Sequence, residues 1–260
     1  MRTKSSHRRR IELSNRYRSD LSLLSGFELR RDDALVSVPQ SAERLLAFLA
    51  VHDRAVERSY VAGSLWLDVT ESRASGSLRS ALWRVHNADD SVIESIGTRL
   101  RLAPHVRVDL RAAHLLARAV LDTDGAGDGA RAPVRTVSAL DGDLLPDWYV
   151  EEWLTLPREQ WRQVRLHALE ALASDLTKQG DFAVAVSAAL ASIQGEPLRE
   201  SAHRCLVQIH LAEGNIGEAF SAFQRFQRLL WREFGVEPSH GFVRLIEGLA
   251  IQRSPSPRHP

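Results

Sequence analysis

Two short segments of this chain, Gly180-Asp181-Phe182 and Gly214-Asn215-Ile216, lie 34 residues apart. The small residues that follow keep the same offset, Ala185 with Ala219 and Ala188 with Ala222. Glycine lets a chain turn between helices, and alanine lets paired helices approach closely. A period of this length gives two helices per unit, and such units bury their apolar faces by stacking on one another. Pro197 stands twelve residues after Ala185, where the first copy should stop. The second copy has Trp231 there, and its Glu237-Pro238 comes seven residues later. Its last helix is therefore longer, or the repeat is degenerate. The alternative is a plain helical bundle with two coincident glycines.

The N-terminal half reads differently. Leu21, Leu23 and Ser25 alternate with Ser22 and Leu24, and Phe27-Glu28-Leu29-Arg30 alternates again. Asp32-Asp33 signals a turn, and Val36-Ser37-Val38 returns as a second strand that Pro39 ends. Three helices follow. Ser41 can cap the first, whose Leu45, Leu46, Phe48 and Leu49 form an apolar face. The second covers about 58–66, and the third about 74–87, with Leu78, Ala81, Leu82 and Val85 facing inward. Two strand-like runs, 92–96 and 99–102, then flank Gly97-Thr98 as a hairpin, and Val106-Arg107-Val108 adds a possible strand. Strands, three helices and a hairpin, in that order, make a winged helix. From residue 110 the pattern is helical. The breaks fall at Asp141-Gly142, Pro146, Pro157, Gly180, Gly195/Pro197, Gly214 and Gly235/Pro238, and 122–133 forms a Gly- and Asp-rich loop.

The expected fold class is thus an α+β winged-helix domain followed by an all-α, tetratricopeptide-like helical repeat domain. The expected layout is a disordered basic arm over 1–20, the winged helix over 21–109, the helical domain over 110–250 and a disordered tail over 251–260. The longest unbroken apolar run, Leu45 to Val51, is far too short to cross a membrane. No apolar segment follows the basic N-terminus, so no secretory signal is expected. The single cysteine, Cys205, cannot form an intrachain disulfide, which fits a reducing, cytoplasmic setting.

Charge is unevenly spread. Residues 1–20 carry net +5, including Arg8, Arg9 and Arg10. Residues 21–110 carry −1 and 111–260 carry −3. A nucleic-acid reading must therefore be local, and residues 73–107 supply it with six arginines against three acids. Opposite the inward face of the third helix lie Ser77, Ser80, Arg84 and Asn87. A helix with that face suits a DNA major groove, with Arg84 on guanine or phosphate and Asn87 on adenine or acting as a cap. Arg73 and Arg79 flank the row and suit phosphates. At the hairpin tip, Thr98, Arg99 and Arg101 are placed for a minor groove or for phosphates. Trp83 is expected to the side of the row, either packed beneath the hairpin, the preferred reading, or stacked near the DNA backbone. A solvated polar face is the plain alternative for both elements.

No chemistry competes with this reading. The ten histidines form no H-x-x-x-H or H-E-x-x-H pattern, and His203 and His210 lack a third ligand beside Cys205. Asp122, Asp124 and Asp128 fail the calcium-loop spacing. There is no G-x-S-x-G elbow and no phosphate-binding G-x-x-x-x-G-K-[ST] loop. Neither an enzyme, a cofactor nor a metal is expected.

Residues 21–110, through LLSGFELRRDDALVSVP, RLLAFLAVHDRAVERSYVAGSLW, ASGSLRSALWRV and RLRLAPHVRVDL, resemble the OmpR-type winged helix of the SARP regulators. Residues 111–250, through LDGDLLPDWYVEEWL, RLHALEALA and GEPLRESAHRCLVQIHLAEGN, resemble the bacterial transcriptional activation domain that follows it there. The resemblance implies a transcriptional activator that binds direct repeats in promoters and contacts RNA polymerase through its sigma subunit. It also implies control of an antibiotic biosynthetic cluster from the nucleoid, with a homodimer as one way to occupy a direct repeat. In resembling proteins the loop after the second helix, here residues 67–72, touches polymerase. The chain resembles the small, two-domain members, without an NTPase module or a receiver domain. A repeat-protein adaptor whose winged helix binds protein, or a repressor, are the alternatives.

Overall fold

The computed structural model describes residues 18–122 and 133–251, except the side chains of residues 249–251. Most of the basic arm, the centre of the Gly- and Asp-rich loop and the last nine residues lie outside that range. The chain divides into two compact units, one of residues up to Leu115 with Gly142–Trp161, the other of Leu116–Asp141 with Arg162 onward.

In the first unit, β1 (Ser19–Ser22) pairs antiparallel with β2 (Glu28–Arg31), which pairs with β3 (Ala34–Leu35). β1 starts two residues inside the segment read as an arm, because Asp20 pairs with Arg30 in the ladder. Period-two alternation buries Leu21, Leu23 and Leu29 on one face. Asp32 and Asp33, with φ of 50° and 67°, make the tight turn that short acidic residues tolerate. The return strand sits at Ala34–Leu35, earlier than the expected 36–38. β7 (Arg107–Val108) closes the sheet parallel to β1.

α1 (Gln40–His52) is buried almost all round, from Ala42 through Ala50. Its N-cap is Pro39, with no side-chain cap; Ser41 is engaged elsewhere. β4 (Val56–Glu57), α2 (Arg58–Leu65) and α3 (Glu71–Ala88) follow, and then β5 (Ile93–Ile96) and β6 (Arg99–Leu102). β6 sits between β4 and β5, so the hairpin is a three-stranded sheet; the two-residue β4 left no pattern in the sequence.

Residues 142–161 belong to this first unit, a return that the linear layout does not anticipate. Leu24 and Leu144 form a bridge, Ser25 N–H donates to Asp143 O (2.8 Å) and Leu145 N–H to Leu23 O (2.9 Å). Trp148 stacks on Phe27, and Trp153 meets Phe48 edge-on at 5.2 Å. A Cβ at Gly142 would fall 2.9 Å from Leu24 Cβ, so only glycine lets the two segments approach this closely.

The second unit is helical. α4 (Asp109–Leu121) and α6 (Thr155–Gln179) each pass from the first unit into it. α5 (Pro133–Leu140), α7 (Phe182–Gly195), α8 (Glu200–Glu213), α9 (Ile216–Phe234) and α10 (His240–Ile251) complete it. Pro157 does not interrupt α6: it lies in the first turn, where the missing N–H has no intrahelical partner to lose. The 34-residue offset is visible in the backbone. Gly180 and Gly214 have φ of +80° and +85°, and Asp181 and Asn215 repeat φ/ψ of −85°/66° and −86°/63°. Ala185, Ala188, Ala219 and Ala222 are all buried. α7 has 14 residues and α9 has 19, so the second copy runs on where Pro197 ended the first. Glu170 of α6 accepts from Arg199 Nε (2.5 Å), Ser192 Oγ and Ser201 Oγ, tying three successive helices at one carboxylate.

Candidate nucleic-acid interface

α2, the loop Trp66–Thr70 and α3 form a helix-turn-helix. Ala74, Leu78, Ala81 and Val85 of α3 are buried, and Leu82, expected among them, is only half-buried. The opposite row is centred differently from the sequence reading. Gly76, Ser80, Trp83 and Asn87 succeed one another at four, three and four residues, so they share the outward face. Arg79 lies to one side of that row, and Arg73, Ser77 and Arg84 to the other. Trp83 is therefore central and 65% exposed, not packed beneath the hairpin. It is two residues from both Ala81 and Val85, or about 200° round the helix from each, and among the described residues no element covers that side.

The loop completes a shallow open groove. Trp66, Val69 and Ser41 line it together with Arg73, Gly76, Ser77, Arg79, Ser80, Trp83 and Arg84 of α3. Three arginines and two indoles thus share one surface without a carboxylate in its lining. Among the described residues, Arg73, Arg79 and Arg84 enter no ion pair; Arg84 donates to Ser41 Oγ at 2.7 Å. Arg73, Arg79, Ser80, Arg84 and Asn87 are exposed and Ser77 is half-buried.

The hairpin is a separate arm. Gly97, at φ +59°, makes its turn. β6 buries Leu100 and Leu102 and directs Arg99 and Arg101 to the other face. Both arginines are paired: Arg99 Nε with Glu57 Oε1 at 2.6 Å, Arg101 Nη2 with Glu94 Oε2 at 2.7 Å. Hydrogen bonds from Arg99 and then Thr98 hold the Glu57 carboxyl below its usual range. The positive charge is therefore less compensated on α3 than on the hairpin, because among the described residues Arg73, Arg79 and Arg84 enter no ion pair.

Of the nine expected residues, the groove gathers Arg73, Ser77, Arg79, Ser80 and Arg84. Asn87 continues the row beyond it, and Thr98, Arg99 and Arg101 stand on the hairpin. Sequence reasoning missed Trp66, Val69, Ser41 and Gly76, and it misplaced Trp83. The spacing of Trp83 from Ser80 and Asn87 was the available signal. Nothing comparable announced Ser41, which reaches the site from another helix.

A family model described as the bacterial transcriptional activator domain matches residues 108–249. Regulatory protein AfsR of Streptomyces coelicolor is 29% identical over 227 residues, covering 84% of this chain and 22% of the relative. AfsR of Streptomyces griseus is 30% identical over 209 residues, covering 77% and 21%. The chain thus spans about a fifth of the length of these curated relatives. The solved structure of Mycobacterium tuberculosis EmbR in complex with low affinity phosphopeptide superposes with a TM-score of 0.74, over 91% of this chain and 66% of that one. At 20% identity that likeness speaks to the fold. A winged helix leading into a helical activator domain defines a class, the transcriptional regulators. The chain belongs to the bacterial transcriptional activator domain family and, within it, is a SARP-type regulator.

Proposed function

We propose that this regulator binds double-stranded promoter DNA, with α3 in the major groove and the β5–β6 hairpin over an adjacent minor groove. The observation that carries the reading is the outward face of α3: three arginines without acidic partners beside two exposed or half-exposed indoles. Arg84 and Asn87 read base edges, Ser77 and Ser80 let the backbone sit close, and Arg73, Arg79, Thr98, Arg99 and Arg101 hold phosphates. Two protomers, as a homodimer or side by side, occupy a direct repeat in the promoter. The second unit, a tetratricopeptide-like stack, presents a surface that holds RNA polymerase through its sigma subunit. The regulated genes form an antibiotic or other secondary-metabolite cluster, and the protein works in the cytoplasm on the nucleoid.

A genome-wide footprint of the protein and of Arg84→Ala tests this. The wild type should mark one or a few promoters at direct repeats, and the variant should not. If neither protein enriches a promoter, the winged helix serves another role, and protein partners of the adaptor kind become the reading to pursue.

A further inference from the structure

We infer that Trp83 makes α3 selective for thymine, by packing its indole against the thymine C5-methyl group in the major groove. This rests on the DNA reading above and deepens it. Trp83 is 65% exposed at the centre of the outward row, and among the described residues its indole N–H has no hydrogen-bond partner. A ring of this size left in water is a cost that contact with a ligand removes. The neighbours in the row are Ser80, one turn earlier, and Gly76, two turns earlier. The fold gives no reason for Gly76 to be small: a Cβ there would meet only Arg79 Nη2, the far end of a side chain, at an ordinary contact distance of 3.7 Å. Glycine inside a helix costs stability against alanine. Its place on this row clears the approach to whatever the indole touches.

The chemistry of the major groove narrows that target. Every base pair presents donors and acceptors there, and the thymine methyl is the one apolar group on the edge. Arginines placed on both sides of Trp83 anchor phosphates and hold the ring at base-edge depth. The competing contact, the indole on a deoxyribose, would add affinity without sequence preference.

The test uses the full chain and its best site, selected from random duplex DNA. Each thymine in that site is replaced singly by deoxyuridine, which keeps every hydrogen-bonding group and lacks only the methyl. Wild type, Trp83→Ala and Trp83→Phe are titrated on each duplex, with thermal unfolding to confirm that the variants fold. Wild type should lose affinity about three- to ten-fold at one thymine, the scale of one buried methyl or slightly more. Trp83→Ala should bind more weakly and treat the two bases alike, and Trp83→Phe should keep part of the preference. Equal binding of wild type to every uridine duplex overturns the inference, as does an undiminished thymine preference in Trp83→Ala. Failure to select any duplex would instead sink the DNA reading itself, and this inference with it.

Discussion

Arg44 and Glu151, 107 residues apart in the chain, form an ion pair with Nε 2.6 Å from Oε1. Arg44 Nη2 also donates to Leu65 O at 2.7 Å, the last residue of α2, and Trp153 Nε1 donates to Glu151 Oε2 at 2.6 Å. Through Arg44, a carboxylate of the returning segment is thereby tied to the end of the helix that leads into the turn before α3. Both side chains are mostly buried. Glu151→Ala should cost about 1–3 kcal/mol by leaving Arg44 desolvated and unpaired. Urea unfolding of the full chain measures this; an unchanged midpoint and slope would mean the pair contributes nothing.

The two sets of arginines should differ in their salt signatures. Among the described residues Arg79 has no acidic partner, so Arg79→Ala should lower the slope of log affinity against log salt by up to about 0.9, the share of one phosphate. Arg99→Ala should lower it less, because in the free protein Arg99 is already neutralised by Glu57. Glu57→Gln should therefore tighten binding. Anisotropy titrations across a salt series check all three, and weaker binding by Glu57→Gln would contradict the assignment.

His203 gives the second unit a pH dependence of known sign. Burial lowers its pKa from 6.5, against the opposing hydrogen bond to Pro197 O and with help from the Arg225 charge. The ring stacks on Phe226 at 4.3 Å. The unfolded chain takes up the proton more readily than the folded one, so the contribution is present above about pH 6.5 and lost as pH falls below it. Thermal unfolding between pH 7.5 and 5 should show falling stability in wild type and a shallower fall in His203→Gln. Parallel curves would assign the acid sensitivity to other groups.

Cys205 is buried, and burial, aided by the nearby Glu170, pushes its thiol up to about 11. The thiolate is the reactive form, so iodoacetamide at pH 8 should leave the folded protein unmodified and alkylate it in urea. Mass spectrometry reads the difference. Rapid labelling without denaturant would show that α8 opens far more easily than its packing implies.

Local periodicity made most of the fold legible. The alternation at Leu21 and Leu29, the inward row at Leu78, Ala81 and Val85, and the equivalence of Gly180 with Gly214 are short-range patterns, and each reappears in the structure. The returning segment was not legible, because Leu24 meets Leu144 and Arg44 meets Glu151 across more than a hundred residues with no local signature. The site shows the same split. Arg73, Ser77, Arg79, Ser80 and Arg84 follow from helical spacing. Ser41 and the pairing of Arg99 with Glu57 depend on tertiary approach. Trp83 was misjudged for another reason: aromatic bulk suggests burial, but its angular position on α3 puts it on the outward row, opposite the buried face.

The chain crosses between its two units at Leu115, at Asp141 and again at Trp161, so the winged-helix unit is discontinuous in sequence. That bears on anyone who would exchange winged-helix units between regulators by gene fusion. A single joint near residue 109 would strand the winged helix without the partners of Leu23, Phe27, Arg44 and Phe48. The transplantable module is two pieces of chain, and a working chimera has to be stitched at both.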